Sequence, residues 1–377
     1  MAYTLIRLLG VILFFLSTTC PQAIELSGNY TNLLFQHKDS RKQDVSTDLN
    51  RLRLTFEGGE KAWQWRLSYD NELLYGGAVR DPTFAALRQT PDPTWLDLNA
   101  NIISSSALDW RHNLYRGWLQ YKTEVWDVVL GRQRIAWGSG RIWNPTDRFN
   151  PVQPTALESE QKLGVDAAYT TYSYSDFGSI QWLVAPGETN RALRRKWALR
   201  WQDTIEQTDI SLWLGEIGQE RVLAVDVTGN VGDAAARLEW QQSWRGEQGD
   251  FGQFIVGIDG TVMNPLLPEG LYLAAEYFYN GLPHSNVKQL IQSDILQSSS
   301  RQLFGMLAGY DLTPLWRTEL IWLLDLERQS MFIAPSIRWS ASDHMDATIF
   351  SQLPTGTAGS EFAGLNNLLA IKLEYYF

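Results

Sequence analysis

The chain is almost free of cysteine, since Cys20 is the only one among its 377 residues. Cys20 lies in an N-terminal leader, so the exported chain carries no thiol. A chain without thiols cannot be a disulfide-stapled scaffold, and it has no C-x-x-C site for metal or redox chemistry. Its stability must therefore come from the fold alone.

Long apolar runs and an excess of basic charge are also missing. Outside the leader, no stretch approaches the ~20 apolar residues that a membrane-spanning helix requires. The net charge is −10 at pH 7, and removal of Arg7 with the leader makes it more negative still. The sequence therefore argues against a helical membrane protein and offers no basic field for nucleic acid.

Catalytic motifs are equally scarce. The chain has four histidines, and it has no H-E-x-x-H, G-x-S-x-G or Walker-type motif. His112 follows a run of serines and His284 precedes a serine, but such sequence neighbours do not fix a catalytic geometry. We predict no catalytic residue, no metal site and no cofactor, and an embedded hydrolase remains a minor alternative.

The N-terminus has the build of a secretory signal peptide. Residues 1–7 carry one positive charge, the run 8–16 is apolar, and cleavage after Ala23 is plausible. We therefore predict a signal peptide over residues 1–23 and a single exported domain over residues 24–377.

Apolar and polar side chains alternate in segments of about ten residues through the rest of the chain, as in strands with one apolar face. In 51–57 leucine and phenylalanine alternate with arginine, threonine and glutamate, and Gly58-Gly59 then turns into a similar segment at 63–70. Strands are predicted near residues 25–36, 49–58, 62–73, 112–122, 125–136, 161–172, 178–186, 193–202, 207–217, 220–228, 233–243, 251–260, 269–279, 301–311, 315–325, 330–340, 344–352 and 366–377. This gives about eighteen strands, and sixteen is also compatible with the pattern.

The predicted connections alternate in length, as in outer-membrane barrels with short periplasmic turns and longer outer loops. The connections at 59–61, 123–124, 173–177, 203–206, 229–232, 312–314 and 341–343 are short, and 261–268 is the one longer exception. The long connections are 37–48, 74–111, 137–160, 187–192, 280–300 and 353–365. This parity predicts an all-β, transmembrane, antiparallel up-and-down β-barrel with large outer loops at about 74–111, 137–160 and 280–300.

The last strand has the pattern expected of a closing barrel strand. Apolar residues alternate there with Lys372 and Glu374, so one face suits lipid and the other suits a water-filled lumen. An alternating last strand that ends on phenylalanine resembles the C-terminal assembly signal of Gram-negative outer-membrane proteins. That resemblance implies a recognition role for Tyr375 and Phe377. The chain also has 17 tryptophans and 15 tyrosines, rings that favour the membrane interface.

The most distinctive segment is 131–151, GRQRIAWGSGRIWNPTDRFNP. It resembles a broad group of porin-like barrels, the alginate-export type among them, that carry a "GRQ…WG…NP.D..NP" segment at a strand exit. The match covers about twenty residues, so it implies a related barrel without naming a substrate. In general porins the third outer loop folds inward and narrows the channel, and the resemblance implies the same for 137–160.

Fixed charges near such a loop would set which solutes pass. The candidate pore-lining residues are Arg132, Arg134, Arg141, Asp147, Arg148, Arg53, Arg66, Arg116, Arg194, Lys196 and Arg200. A second interpretation is that Arg132 and Arg134 pair with acids such as Asp166 or Asp127 and brace the barrel wall.

A barrel of sixteen to eighteen strands leaves an aqueous channel. We therefore predict a Gram-negative outer-membrane channel for passive diffusion of small polar or charged solutes. The alternatives are a partner-dependent export conduit or docking sleeve, for example for a polymer, and the hydrolase. The expected partners are outer-membrane lipid, the barrel-assembly machinery and small solutes, with a homo-oligomer or a periplasmic partner left open. The sequence leaves the solute, the ion selectivity and the direction of transport undetermined.

Overall fold

The computed structural model describes residues 24–39, 42–81, 94–151, 153–158, 161, 164–186, 195–246, 249–282 and 298–377. They form one antiparallel sheet of nineteen strands with a short helix, α1 (Gly77–Arg80), after the third strand. The strands are β1 (Glu25–Lys38), β2 (Asp44–Glu60), β3 (Trp63–Gly76), β4 (Asn99–Ser104), β5 (Leu108–Lys122), β6 (Trp126–Gln133), β7 (Val165–Ser173), β8 (Ser179–Ala185), β9 (Lys196–Ile205), β10 (Thr208–Ile217), β11 (Glu220–Val231), β12 (Ala234–Trp244), β13 (Phe251–Asn264), β14 (Leu267–Asn280), β15 (Gln302–Thr313), β16 (Trp316–Asp325), β17 (Ser330–Ser342), β18 (Met345–Thr355) and β19 (Leu368–Tyr376). Within these ranges no helix is long and apolar enough to cross a membrane.

The sheet closes into a ring because β1 pairs with β2 on one side and with β19 on the other. Strand β4 stands apart from the ring: among the described residues it pairs with residues 109–113 of β5 alone, while β3 pairs directly with β5. The other eighteen strands form a closed up-and-down barrel, which confirms the predicted fold. Each of the eighteen segments predicted from alternation overlaps one of these strands.

The closing seam extends to the last residue of the chain. The backbone amides of Gly28 and Phe377 each donate to the other residue's carbonyl oxygen, at 2.8 and 3.0 Å. The rings of Tyr375 and Phe377 stack on each other at 6.2 Å between centroids. Their role as an assembly signal stays a prediction.

The two faces of the wall differ as the alternation predicts. On β19 the side chains of Lys372 and Glu374 point inward and pair at 3.1 Å. The alternate side chains point outward and are exposed, namely Leu369, Ile371, Leu373 and Tyr375. Large apolar side chains on the outside and charged pairs inside are the arrangement of a barrel surrounded by hydrocarbon.

The connections follow the predicted parity, with two corrections. The long connection expected at 37–48 is reduced to residues 39–43, because β1 ends at Lys38 and β2 begins at Asp44. The segment 261–268 was expected to be a longer loop, but β13 and β14 extend through it and leave only residues 265 and 266 as a turn. All connections on that end of the barrel are therefore short. At the other end, the longest connections are 77–107, 134–164 and 281–301.

Candidate functional site inside the barrel

Residues 134–151, here called the inner loop, leave β6 and pack against the inward face of the wall. Trp137 lies edge-on to Phe149, with ring centroids 4.9 Å apart, and 5.3 Å from Trp213 of β10. Together with Ile135 these rings form a buried cluster with inward residues of β7 to β11. Burial of such large rings stabilises the loop inside the barrel, since each removes a large apolar area from water.

A second apolar contact fixes the middle of the inner loop to the opposite part of the wall. The ring of Trp143 stacks on Phe278 of β14 at 5.6 Å, and Ile142 belongs to the same buried cluster. Gly305 of β15 leaves room for this contact, because a Cβ there would lie 2.8 Å from Trp143. The inner loop thus spans from the β7–β11 wall to the β13–β17 wall.

Between these two contacts, Glu239 of β12 binds the backbone of the inner loop. Its carboxylate accepts hydrogen bonds from the amides of Ser139 (2.8 Å), Gly140 (2.6 Å) and Thr146 (3.1 Å), and from the Thr146 hydroxyl (2.7 Å). The side chain is completely buried. A buried carboxylate is costly unless donors surround it, and here the loop supplies them.

Glu276 of β14 binds the backbone of the inner loop in the same way, at residues 141–143. Its carboxylate accepts from the amides of Arg141, Ile142 and Trp143, the last two at 3.0 Å. Two wall glutamates therefore hold the backbone of the inner loop between Ser139 and Thr146. An irregular segment inside a barrel needs such acceptors, because its amides have no strand partner.

Two arginines of the inner loop also bind wall acids. Arg148 is buried and donates to Glu220 at 2.7 Å and to Ser243 at 3.0 Å. Arg141 is nearly half exposed and forms a longer pair of 3.2 Å with Asp259. Arg148 is thus a structural anchor, whereas Arg141 keeps a charged surface toward water.

Asp147, which the sequence suggests as an opposing pore charge, is buried and stabilises the turn of the inner loop. Its Oδ1 accepts from the amides of Phe149 (3.1 Å) and Asn150 (2.7 Å), and its own amide donates to Asn144. This is the local capping that Asp provides in turns. Asp147 therefore shapes the loop rather than exposing a charge.

The return of the connection reaches a third part of the wall. Glu158 forms a two-point pair with Arg51 of β2, with distances of 2.6 and 3.0 Å. Gln352 of β18 donates to the carbonyl of Thr155 at 3.3 Å. The connection between β6 and β7 is therefore tied to the wall on several sides of the lumen.

Arg132 lies at the junction where β5 changes partners from β6 to β4. It pairs with Asp166 at 2.8 Å and donates to the Leu114 carbonyl at 3.0 Å, the Thr94 hydroxyl at 2.6 Å and the Leu96 carbonyl. The side chain is only 2% exposed. The expectation that Arg132 lines the pore is thus corrected: this geometry corresponds to the second interpretation, in which Arg132 braces the wall.

Three other predicted arginines lie near one another. Arg53 forms a two-point pair with Asp70 at 2.6 Å, and its guanidinium lies 3.4 Å from the Tyr115 ring centroid. Arg116 lies on the same ring at 3.9 Å. Arg134 is exposed and interacts electrostatically with Arg116. Of these three, only Arg134 is exposed.

The remaining predicted cations are spread around the wall. Arg66 bonds to Glu57 near the opposite end of the barrel from the outer loops. Lys196 and Arg200 lie beside aromatic rings of the inner loop, at 5.9 and 5.5 Å. Arg194 lies outside the described residues. The structure therefore does not gather the predicted cations into a single cluster.

The sequence reading missed the acids that hold the inner loop. The acids occupy inward-facing positions of their strands, and they are Glu239, Glu276 and Glu220. The inward position of Glu239 follows from the alternation of segment 237–241. An acid at an inward position in mid-strand was the available signal. Its partners could not be read, because they are backbone amides of a distant loop.

A cavity of about 350 Å³ lies beside the inner loop, and Ser139 is part of its lining. Charged side chains of both signs line it, including Arg200, Asp226 and Arg237. Arg237 is held by Asp259 at 2.6 Å. The space next to the loop is thus polar and carries mixed charge.

Comparison with known proteins identifies the fold class but no family. No family model and no curated protein matches the chain. Among solved structures, OccAB2 of Acinetobacter baumannii is 9% identical with a TM-score of 0.60 and covers 93% of this chain and 97% of its own. OccK8 (OprE) of Pseudomonas aeruginosa is 7% identical with a TM-score of 0.59, covering 94% and 98%. The outer membrane protein opdK of P. aeruginosa is 8% identical with a TM-score of 0.56, covering 94% and 99%. The chain shares with them an eighteen-stranded barrel fold.

Proposed function

We propose that this protein is an outer-membrane channel through which small polar or charged solutes diffuse passively, and that the inner loop narrows it. The observation that carries the proposal is the pair Glu239 and Glu276, which hold the backbone of the inner loop within a closed ring of eighteen strands. A loop tied in this way reduces the open cross-section of the barrel.

Ring size and surface chemistry support a water-filled interior. Eight strands fill their own interior, whereas about sixteen to eighteen leave an aqueous channel. The exposed apolar side chains of β19 and its neighbours suit hydrocarbon, so the barrel fits a membrane rather than water. The location is further supported by the fold that the chain shares with opdK, described as an outer membrane protein.

Charges of both signs remain beside the inner loop. Arg134 is exposed, Arg141 keeps nearly half its surface exposed, and the adjoining cavity adds Arg200 and Asp226. Opposed charges in a narrow lumen are poorly screened and act on a passing ion. We therefore expect a modest ion preference rather than an exclusive one.

Liposome swelling with sugars of graded size tests the proposal. Liposomes with the mature protein should swell in a pentose, more slowly in a hexose, and little in a trisaccharide. Glu239→Ala/Glu276→Ala should admit the larger sugars, because it frees the backbone of the inner loop. Asp127→Asn, which removes an inward acid bonded to Gln120 at 2.7 Å and not to the loop, should behave as wild type. Absence of swelling with correctly folded protein would contradict the channel.

A further inference from the structure

The outward face of the barrel is not apolar all the way round. Most outward positions carry exposed aliphatic side chains, among them Leu238, Val256, Ile349 and Leu369. Strands β1, β2 and β3 differ, because they place four polar side chains on this face. These residues, here called the outward polar patch, are Asn32, Asp48, Asn50 and Asn71.

The patch is organised around one carboxylate. Asp48 accepts hydrogen bonds from Asn32 Nδ2 (2.7 Å), Asn50 Nδ2 (3.0 Å) and the Tyr75 hydroxyl (2.6 Å). Asn32 Nδ2 also donates to Asn50 Oδ1 at 3.1 Å, and the two residues face each other in the register of β1 and β2. Tyr30 donates to Asn50 as well. The network is therefore built into three strands.

The amides of the patch lie within the height that the membrane covers, and Asp48 pairs in register with Tyr75 at the edge of that height. Trp63 and Tyr75 mark the two ends of β3 with exposed outward rings, the usual position of the aromatic girdles. Asn71 lies on β3 between these rings. Asn50 pairs in register with Leu73, which lies between them too. These amides are consequently at the depth where the other strands present leucine, isoleucine and valine.

Hydrocarbon is a poor neighbour for this network. An amide has two donors and an acceptor with two lone pairs, and hydrocarbon offers no partner for any of them. Asn71 Oδ1 accepts from Trp110 Nε1 at 3.0 Å, so this amide is also part of a polar set. A polar surface embedded in the membrane would supply the partners that hydrocarbon lacks.

We propose that a second copy of this chain covers the outward polar patch. Amides and phenols donate and accept alike, so the patch is complementary to itself, as a contact between identical subunits requires. Its one formal charge is the negative charge of Asp48, and it holds no lysine or arginine, which disfavours an anionic lipid headgroup as the occupant. The inference rests on the proposed membrane location and not on conduction.

The mass of the purified protein in mild detergent, from light scattering and native mass spectrometry, tests this contact. Wild type should have the mass of more than one copy, and Asn32→Leu/Asn50→Leu should shift to the mass of a single chain. Ser351→Leu, an outward polar-to-apolar change on β18, should leave the mass unchanged. Heat-dependent migration in gels shows which variants have folded barrels.

Cross-linking in native membranes gives an independent measurement, because the exported chain carries no cysteine of its own. Asn71→Cys should yield a cross-linked dimer with a short bis-maleimide, whereas Val256→Cys, exposed on β13, should not. A single-chain mass for wild type with no Asn71→Cys dimer would overturn the proposal. An unchanged mass for Asn32→Leu/Asn50→Leu would also overturn it. So would a wild-type monomer that co-purifies with bound lipid, if the Asn32→Leu/Asn50→Leu variant no longer binds that lipid. Neither measurement depends on conduction. An oligomer that does not conduct would therefore contradict the proposed channel function and leave the subunit contact supported.

Discussion

The backbone amide of Gly140 donates a 2.6 Å hydrogen bond to the carboxylate of Glu239, which lies 99 positions later in the chain. Glycine is required there, because a Cβ would overlap the Trp143 carbonyl oxygen and approach Glu239 Oε1 to 3.1 Å. The contact joins the loop after β6 to the inward face of β12. The position of the inner loop therefore depends on a small residue and a buried acid acting together.

Substitution of Gly138 should weaken the inner loop more than an equally strained substitution elsewhere. Gly138 has φ +90° and a Cβ there would overlap Asn144 Oδ1, whereas Gly359 has φ +88° with nothing within 4 Å. Gly359→Ala should cost only the left-handed strain, about 1–2 kcal/mol. Gly138→Ala should cost more in the free energy of unfolding and should raise conductance. Equal urea midpoints and equal conductance for the two variants would contradict this.

Arg132 and Arg134 should have separate effects although only two positions separate them. Arg132→Ala leaves Asp166 buried without its cation, which should cost about 3–5 kcal/mol of unfolding free energy with little change in ion preference. Arg134→Ala should preserve stability and shift the reversal potential toward cation preference, because it removes an exposed positive charge. Reversal potentials in a salt gradient, combined with urea unfolding, make the comparison. An equal potential shift in both variants would assign both residues to the pore.

Acidic pH should strengthen the contact between two outer connections. Burial raises the pKa of Glu361, whose carboxylate accepts from the amides of Ser299 (2.6 Å) and Ser300 (3.2 Å). The folded state therefore binds this proton more tightly than the unfolded state. The stabilising contribution is fully present below the ordinary glutamate pKa and is lost as pH rises through the raised value.

Hydrogen exchange of the Ser299 and Ser300 amides, corrected for intrinsic rates, measures this pH dependence. Protection should be greater near pH 4 than near pH 8, and the change should fall between the ordinary and the raised pKa. Glu361→Gln is uncharged at both pH values and should abolish the difference. A difference of the same size in Glu361→Gln would show that another group is responsible.

The strands could be predicted from sequence because a wall between hydrocarbon and water imposes strict alternation. The error at 261–268 is one of strand length: β13 and β14 continue past the expected boundary and meet across residues 265 and 266. The additional strand β4 could not be predicted either, since in the described part of the chain it pairs with residues 109–113 of β5 alone, outside the ring. Alternation shows which residues form strands and says little about partners outside the ring.

The site was less predictable, because it depends on contacts between distant segments. Arg132 lies two residues after the exposed Leu130 of β6 and points outward as Leu130 does. The side chain of Arg132 is nevertheless covered by Thr94 and Leu96, which lie nearly forty positions earlier in the chain. Nothing in the local pattern reports that cover. For Glu239 the inward direction of the side chain could be predicted from the alternation. Its hydrogen-bond partners could not, because they are backbone amides of the inner loop.

The conductance of single molecules in planar bilayers tests the central claim most directly. Wild-type protein should give a steady, ohmic conductance, because water fills a ring that the inner loop narrows. Glu239→Ala/Glu276→Ala should conduct more, and its current should fluctuate more. Each buried amide that loses its acceptor costs about 1–3 kcal/mol, which destabilises the bound position of the inner loop. Asp127→Asn should match wild type. Folded protein that does not conduct, or a double variant with wild-type conductance and noise, would contradict the account.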